Sequence, residues 1–218
     1  MQKKNPVKIL EMIEKAVNSN LYLESEMDPF KVLIFTVLSQ RTRDEQTEKV
    51  AKKLFEKYSD AESLSNADEE ELAELIKGVG FYKEKAKRIK EISKELMEKW
   101  NGEVPQNIED LLKLKGVGRK TANCVLIYAF GKDAIAVDVH VHRISNRIGI
   151  VKTKSPEETE KELMKIFPKK MWKKINSLLV TFGKKICKPN KPLCKECPLS
   201  KAGICDYFIN MQGQNKGR

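Results

Sequence analysis

The sequence predicts an all-α fold, and three observations carry that prediction. Apolar residues recur three and four apart along almost the whole chain, the spacing of a buried helix face. Ala134–Val137 is the one stretch with strand character, and it is too short to build a sheet. Glycines at 102, 131 and 149 fall between the apolar stripes, where they mark breaks between helices.

The elements follow in order. Pro6 with Val7, Ile9, Leu10 and Ile13 predicts an early helix. Asp28-Pro29 opens the next, with proline in the first turn, where a missing N–H is harmless. Phe30, Leu33, Ile34, Val37 and Leu38 form its inner face. Ala86, Ile89, Ile92 and Leu96 make a third stripe; Ile108, Leu111 and Leu112 a short fourth; Ala122, Val125, Leu126 and Ala129 a fifth. Ser155-Pro156 with Glu158 three residues after the serine reads as a capped start. Trp172, Ile175, Leu178, Leu179 and Phe182 form the last stripe. Stripes of this kind are core faces rather than cofactor linings.

The 218 residues fit one large domain or two modest ones, and 40% hydrophobic content is enough for a real core. No apolar run approaches the roughly 18 residues that cross a bilayer. Met1–Leu10 has neither the apolar stretch nor the cleavage site of a secretory signal, so a cytoplasmic protein is expected. Lys plus Arg number 42 against 31 Asp plus Glu, a net charge of +11, which makes polyanions the natural partners, nucleic acid first. No Gly/Ser linker interrupts the chain, so any domains pack directly.

Of five cysteines, Cys124 stands alone beside Val125, Leu126 and Ile127 and reads as a small buried hydrophobe. Cys187, Cys194, Cys197 and Cys205 follow a C-x6-C-x2-C-x7-C pattern. Disulfide frameworks belong to small secreted chains, which this is not. Two metal readings stand: structural zinc, which usually shows two tight knuckles where this chain has one, and a [4Fe–4S] cluster, whose four thiolates sit at the corners of a larger object. Between Gly183 and Cys205 lie six lysines and one acid, Glu196. The coincidence of charge and thiols suggests a phosphate-contacting surface held rigid by the metal group.

Ile76-Lys77-Gly78-Val79-Gly80 echoes Leu114-Lys115-Gly116-Val117-Gly118. Each joins two amphipathic segments. Apolar-x-Gly-x-Gly between helices can be a plain helix end, or a hairpin whose N–H groups cradle an anion such as a DNA phosphate. No strand precedes it, which excludes a dinucleotide-binding loop, and no Gly-Lys-Ser/Thr follows, which excludes a P-loop.

The second hairpin runs on into Arg119 and Lys120, in the first turn of a helix. The helix dipole disfavours a cation there, and a neutral amine attacks electrophilic carbon; a phosphate-binding lysine beside Arg119 is the other reading. Asp138, after apolar Ala136-Val137, reads either as a helix N-cap or as a carboxylate that stabilises positive charge at a reacting sugar. His140 and His142, two apart, point to different sides of a helix and do not pair on a metal.

Leu-Lys-Gly-Val-Gly-Arg-Lys-Thr-Ala from Leu114, Val-Asp-x-His from Val137 and the four late cysteines together resemble the endonuclease III family of DNA glycosylases, over nearly the whole chain. The resemblance implies two helical domains with a DNA-binding cleft between them. One, residues 22–132, is a six-helix domain carrying the helix–hairpin–helix. The other, residues 1–21 plus 133–218, joins the N-terminal helix to the C-terminal helices and the [4Fe–4S] loop. It implies a monomer, cytoplasmic and associated with the nucleoid through DNA, acting on double-stranded DNA that contains damaged pyrimidines or abasic sites. Lys120 and Asp138 match the catalytic pair, and Cys187, Cys194, Cys197 and Cys205 the cluster ligands. Gln40, Arg41, Phe81, Gly116, Gly118, Arg119, Lys188 and Lys191 are the expected DNA contacts.

The chemistry so implied is base flipping, lysine attack at C1′ with loss of the base, and β-elimination through a Schiff base that nicks the strand. Three departures from the family pattern stand out. The last cysteine gap is x7 where x5 is usual. Arg41 occupies the position where a glutamine often fills the vacated base stack, with Gln40 beside it. Phe81 stands at a wedge position often held by leucine, and an aromatic ring can still wedge between bases. Lysine rather than tyrosine at 120 argues against the mismatch enzymes built on the same scaffold.

Overall fold

Asparagine, aspartate and serine caps decide where most helices of this chain begin. The computed structural model describes residues 4–18 and 27–215, and among them are thirteen α-helices and no strand. Helix α1 (Pro6–Val17) is capped by Asn5, whose side chain accepts from the Lys8 N–H. Then come α2 (Pro29–Ser39), α3 (Asp44–Lys57), α4 (Ala61–Ser65), α5 (Glu69–Leu75), α6 (Tyr82–Trp100), α7 (Ile108–Leu111) and α8 (Arg119–Tyr128). After these follow α9 (Val139–Ile148), α10 (Pro156–Ile166), a short 3-10 turn at Lys169–Met171, α11 (Trp172–Lys185), α12 (Pro198–Lys201) and α13 (Asp206–Asn215).

The chain divides into two units, residues 24–134 and residues 1–23 with 135–218. The border placed at 21/22 from the sequence lies outside the described residues.

In the unit of residues 24–134, α2 is almost wholly buried and packs on α8, α3 and α6. The stripe of α6, Ala86, Ile89, Ile92 and Leu96, is fully buried, and α4 and α5 pack on that helix. Three helices here have no obvious stripe in the sequence. Helix α3 hides a narrow face of Val50, Ala51 and Leu54 among charges, and α4 and α5 are too short for periodicity to register. Their signal is the cap: Asp60 forms a capping box with Ser63, and Asp68 accepts from the Glu71 N–H.

In the other unit, α1 packs on α11 and α12, and α9 packs on α10, α11 and α13. The core gathers Ile9, Leu10 and Ile13 with Val141, Ile144, Ile148, Leu163, Ile175, Leu178, Leu179 and Phe182. The strand-like Ala134–Val137 is a buried connecting segment, not a strand. Its apolar composition reflects burial, and the Ala136 carbonyl accepts from Asn176 Nδ2 at 2.7 Å.

Candidate active site and nucleic-acid interface

The Gly116–Gly118 turn owes its shape to what lies beneath it. Leu114 and Val117 are buried and anchor the hairpin. Gly116 has φ +83°, a conformation side chains resist, and a Cβ there would come within 2.6 Å of Arg88 Cδ. Lys115 is strapped to α6: its N–H donates to Glu95 Oε2 at 3.2 Å and its Nζ to Glu91 Oε1 at 3.1 Å. Gly118, in extended conformation, is the N-cap of α8, with no side-chain cap. The first N–H groups of a helix have no partner within it, so this start is suited to an anion. Arg119 and Lys120 are the first two residues of α8, both half-buried. The opposite face of the helix, Ala122, Val125 and Leu126, is buried. Cys124 is buried as well.

Gln40 is not a free fingertip. Its Nε2 reaches Thr121 Oγ1 at 3.4 Å, and its Oε1 accepts from Arg88 Nη1 at 3.1 Å. The exposed residue of that turn is Arg41, in a left-handed conformation with φ +53°. Its guanidinium lies 5.7 Å from the centroid of the Phe81 ring, within cation–π range. Phe81 is left-handed too, φ +57°, and 58% exposed. Both emerge from turns joined by Lys85, a buried lysine of α6. The sequence does carry a sign of that lysine: it precedes Ile89 by four residues and so falls on the apolar stripe.

Asp138 is the N-cap of α9. One oxygen, Oδ1, accepts both the His140 and the Val141 N–H at 2.9 Å. The carboxylate is therefore held in place by its own helix while the side chain stays half-buried. His142 Nδ1 lies 2.7 Å from Thr159 Oγ1, in a network with Thr153 and Asn146. His140 Nδ1 lies 3.2 Å from Arg143 Nη2. Both histidines are hydrogen-bonding residues.

Cys187, Cys194, Cys197 and Cys205 all line one partly open pocket, with Ile148, Phe182 and Tyr207 among its other walls. Among the described residues no three Cys, His, Asp or Glu groups converge on a position for a single metal ion. Burial raises the thiols of Cys194 and Cys205 above their ordinary range, and neighbouring cysteines push in the same direction. Both shifts favour the neutral thiol, so ionising Cys194 or Cys205 here calls for a positive charge close by. Two arginines one turn apart on α9 hold the rim. Arg143 Nη2 donates to Cys187 O at 3.0 Å, and Arg147 donates to Lys188 O and Pro189 O at 2.8 Å while stacking 4.5 Å from the Tyr207 ring. Burial lowers the Arg143 pKa. Lys188, Lys191 and Lys195 are exposed on this loop, as are Lys184 at the end of α11 and Lys201 at the end of α12. Arg143 and Arg147 escape notice in the sequence, where only their i, i+4 spacing after Asp138 sets them apart.

Residues 34–169 match the model of the HhH-GPD superfamily base excision DNA repair protein. The chain is 58% identical to endonuclease III of Thermotoga maritima over 183 residues, 84% of this chain and 85% of that protein. It is 45% identical to endonuclease III of Bacillus subtilis over 173 residues, 79% of each. Among solved structures it is similar to a trapped endonuclease III–DNA covalent intermediate in an estranged-adenine complex. The TM-score is 0.88 at 39% identity, covering 97% of this chain and 100% of that one. Placed beside the hairpin, the capped aspartate and the four-cysteine loop, these likenesses have one meaning: the chain belongs to the endonuclease III family of base excision repair enzymes, DNA glycosylases that also cleave at abasic sites.

Proposed function

We propose that this chain removes oxidised pyrimidines from double-stranded DNA, with Lys120 as the nucleophile and Asp138 as the carboxylate that stabilises charge on the sugar. The placement of Lys120 carries the reading. It is the second residue of α8, directly behind an uncapped helix start and the glycine turn, on a helix whose other face is locked in the core. A phosphate on the Gly116–Gly118 N–H groups brings a neighbouring sugar to that amine. The trapped covalent intermediate of the 39% identical relative supports a nucleophile in the family.

The neutral Lys120 amine attacks C1′ of the flipped nucleotide; the C1′–N bond breaks and the base leaves with a proton. Asp138 stabilises the positive charge that develops on the sugar and moves protons. Ring opening gives a Schiff base between Nζ and C1′. Loss of a C2′ proton then expels the 3′ phosphate by β-elimination, and water releases the lysine. Gln40, Arg41, Phe81, Gly116, Gly118, Arg119, Lys188 and Lys191 contact the DNA, with Phe81 as the wedge and Arg41 toward the orphaned base. Cys187, Cys194, Cys197 and Cys205 hold a [4Fe–4S] cluster: four thiols around a cavity suit a four-cornered object. When bound, the cluster cross-links the basic loop and holds its lysines in place. The protein works as a monomer in the cytoplasm, on the nucleoid.

Borohydride tests this directly. It should trap a covalent adduct between the protein and a duplex with an abasic site or thymine glycol, and Lys120→Ala should abolish the adduct while the duplex is still bound. Trapping that survives Lys120→Ala would move the nucleophile elsewhere.

A further inference from the structure

We propose that Lys85 is the positioning residue that presents Arg41 and Phe81 to DNA as one preassembled cation–aromatic pair, an inference that rests on the reading of those two side chains as DNA contacts.

Lys85 sits in the first turns of α6 and is 3% exposed. Its ammonium has three donors, and three acceptors surround it: Leu38 O at 2.7 Å, Gln40 O at 2.6 Å and Thr42 Oγ1 at 2.9 Å. All three belong to the end of α2 and the turn after it, on both sides of Arg41. The same Thr42 hydroxyl accepts the Gly80 N–H at 3.1 Å. One lysine and one hydroxyl thus join the turn that carries Arg41 to the loop that carries Phe81. The two loops also touch, because a Cβ at Gly80 would stand 3.1 Å from Arg41 O.

The clamp holds a conformation the chain would not choose alone. Left-handed backbone is disfavoured for a residue with a Cβ, yet Arg41 and Phe81 both adopt it. Neither side chain contributes to the core; both are exposed. Strain held at exposed residues by a buried polar device points to function rather than to stability. The device carries a cost of its own. Burial, and then the charge of Arg88, lower the Lys85 pKa to about 8, whereas an apolar side chain on this stripe would carry no such penalty. A neutral amine keeps two donors for three acceptors, so the turn is fully pinned only by the charged form.

The test is a cycle of variants, with Kd measured on a duplex bearing a non-cleavable abasic analogue. Lys85→Met and Thr42→Val should each raise Kd about tenfold in the natural background, and less than about twofold when Arg41→Ala and Phe81→Ala are already present. Thr42→Ser, which keeps the hydroxyl, should restore binding. If Lys85→Met fails to fold by circular dichroism, the Thr42 series decides alone. Equal losses in both backgrounds, in folded variants, would overturn the positioning role. If Arg41→Ala with Phe81→Ala leaves Kd unchanged, the DNA-contact reading of the pair fails and takes the proposal with it, an outcome distinct from the first.

Discussion

At Asp138 an observed cap and a proposed catalytic charge share one side chain, and they can be separated. Its Oδ1 caps α9 through two N–H groups, and its charge is what the proposed chemistry uses. Asparagine caps a helix about as well as aspartate, whereas alanine forfeits about 1 kcal/mol. Asp138→Asn should therefore keep the thermal midpoint and lose turnover, while Asp138→Ala loses both. Denaturation scans run beside single-turnover cleavage would show it; Asp138→Asn at full rate would reduce the residue to a cap. The cap was legible in the sequence, since a cap needs only the local order of residues. The partners of Gln40 were not. Thr121 is 81 positions away and Arg88 is 48 away, and nothing in the chain near Gln40 announces them.

Among the elements, the pairing of α9 with α11 shows how a single small residue sets a helix–helix distance. Gly183 lies on the buried side of α11. A Cβ there would overlap His140 Nδ1 and stand 3.0 Å from Ile144 Cδ1 and 3.1 Å from Arg143 Nη2. Gly183→Ala gains helix propensity, but overpacking of this kind costs about 1–3 kcal/mol. Denaturant unfolding should show a net loss of stability, and a net gain would mean that α9 has room to retreat. The periodic stripes of α2, α6, α8 and α11 were readable in advance because each follows from spacing along one helix. Helices α3, α4 and α5 were not, because their apolar faces are narrow or their length is under two turns. Their aspartate caps are the trace that remains.

For the molecule as a whole, the +11 charge has a distribution. Arg143 and Arg147 of α9 turn to main-chain carbonyls of the cysteine loop, whose Lys188 and Lys191 stay exposed. Three of the loop's carbonyls, those of Cys187, Lys188 and Pro189, thus accept from α9, and its lysines remain for a polyanion. Iron analysis should find about four atoms per chain, as a [4Fe–4S] cluster requires; zinc in place of iron would refute the cluster. Stripping the iron should release the loop and cost the phosphate contacts of Lys188 and Lys191. The slope of log Kd against log salt would then fall by about 1.8, two contacts at about 0.9 each.

By itself the sequence determined the helical class, the main apolar stripes, the basic character and the family, because periodicity, net charge and short motifs are properties of residues close in the chain. Tertiary structure alone decided that Gln40 is tied down while Arg41 stands out, that Lys85 pins two distant turns, and that two arginines of α9 brace the cysteine loop. Each of these depends on donors and acceptors that meet across roughly 40 to 80 positions. No local rule reaches that far, because a buried lysine or arginine takes its partners from whatever backbone the packing of apolar faces brings beside it.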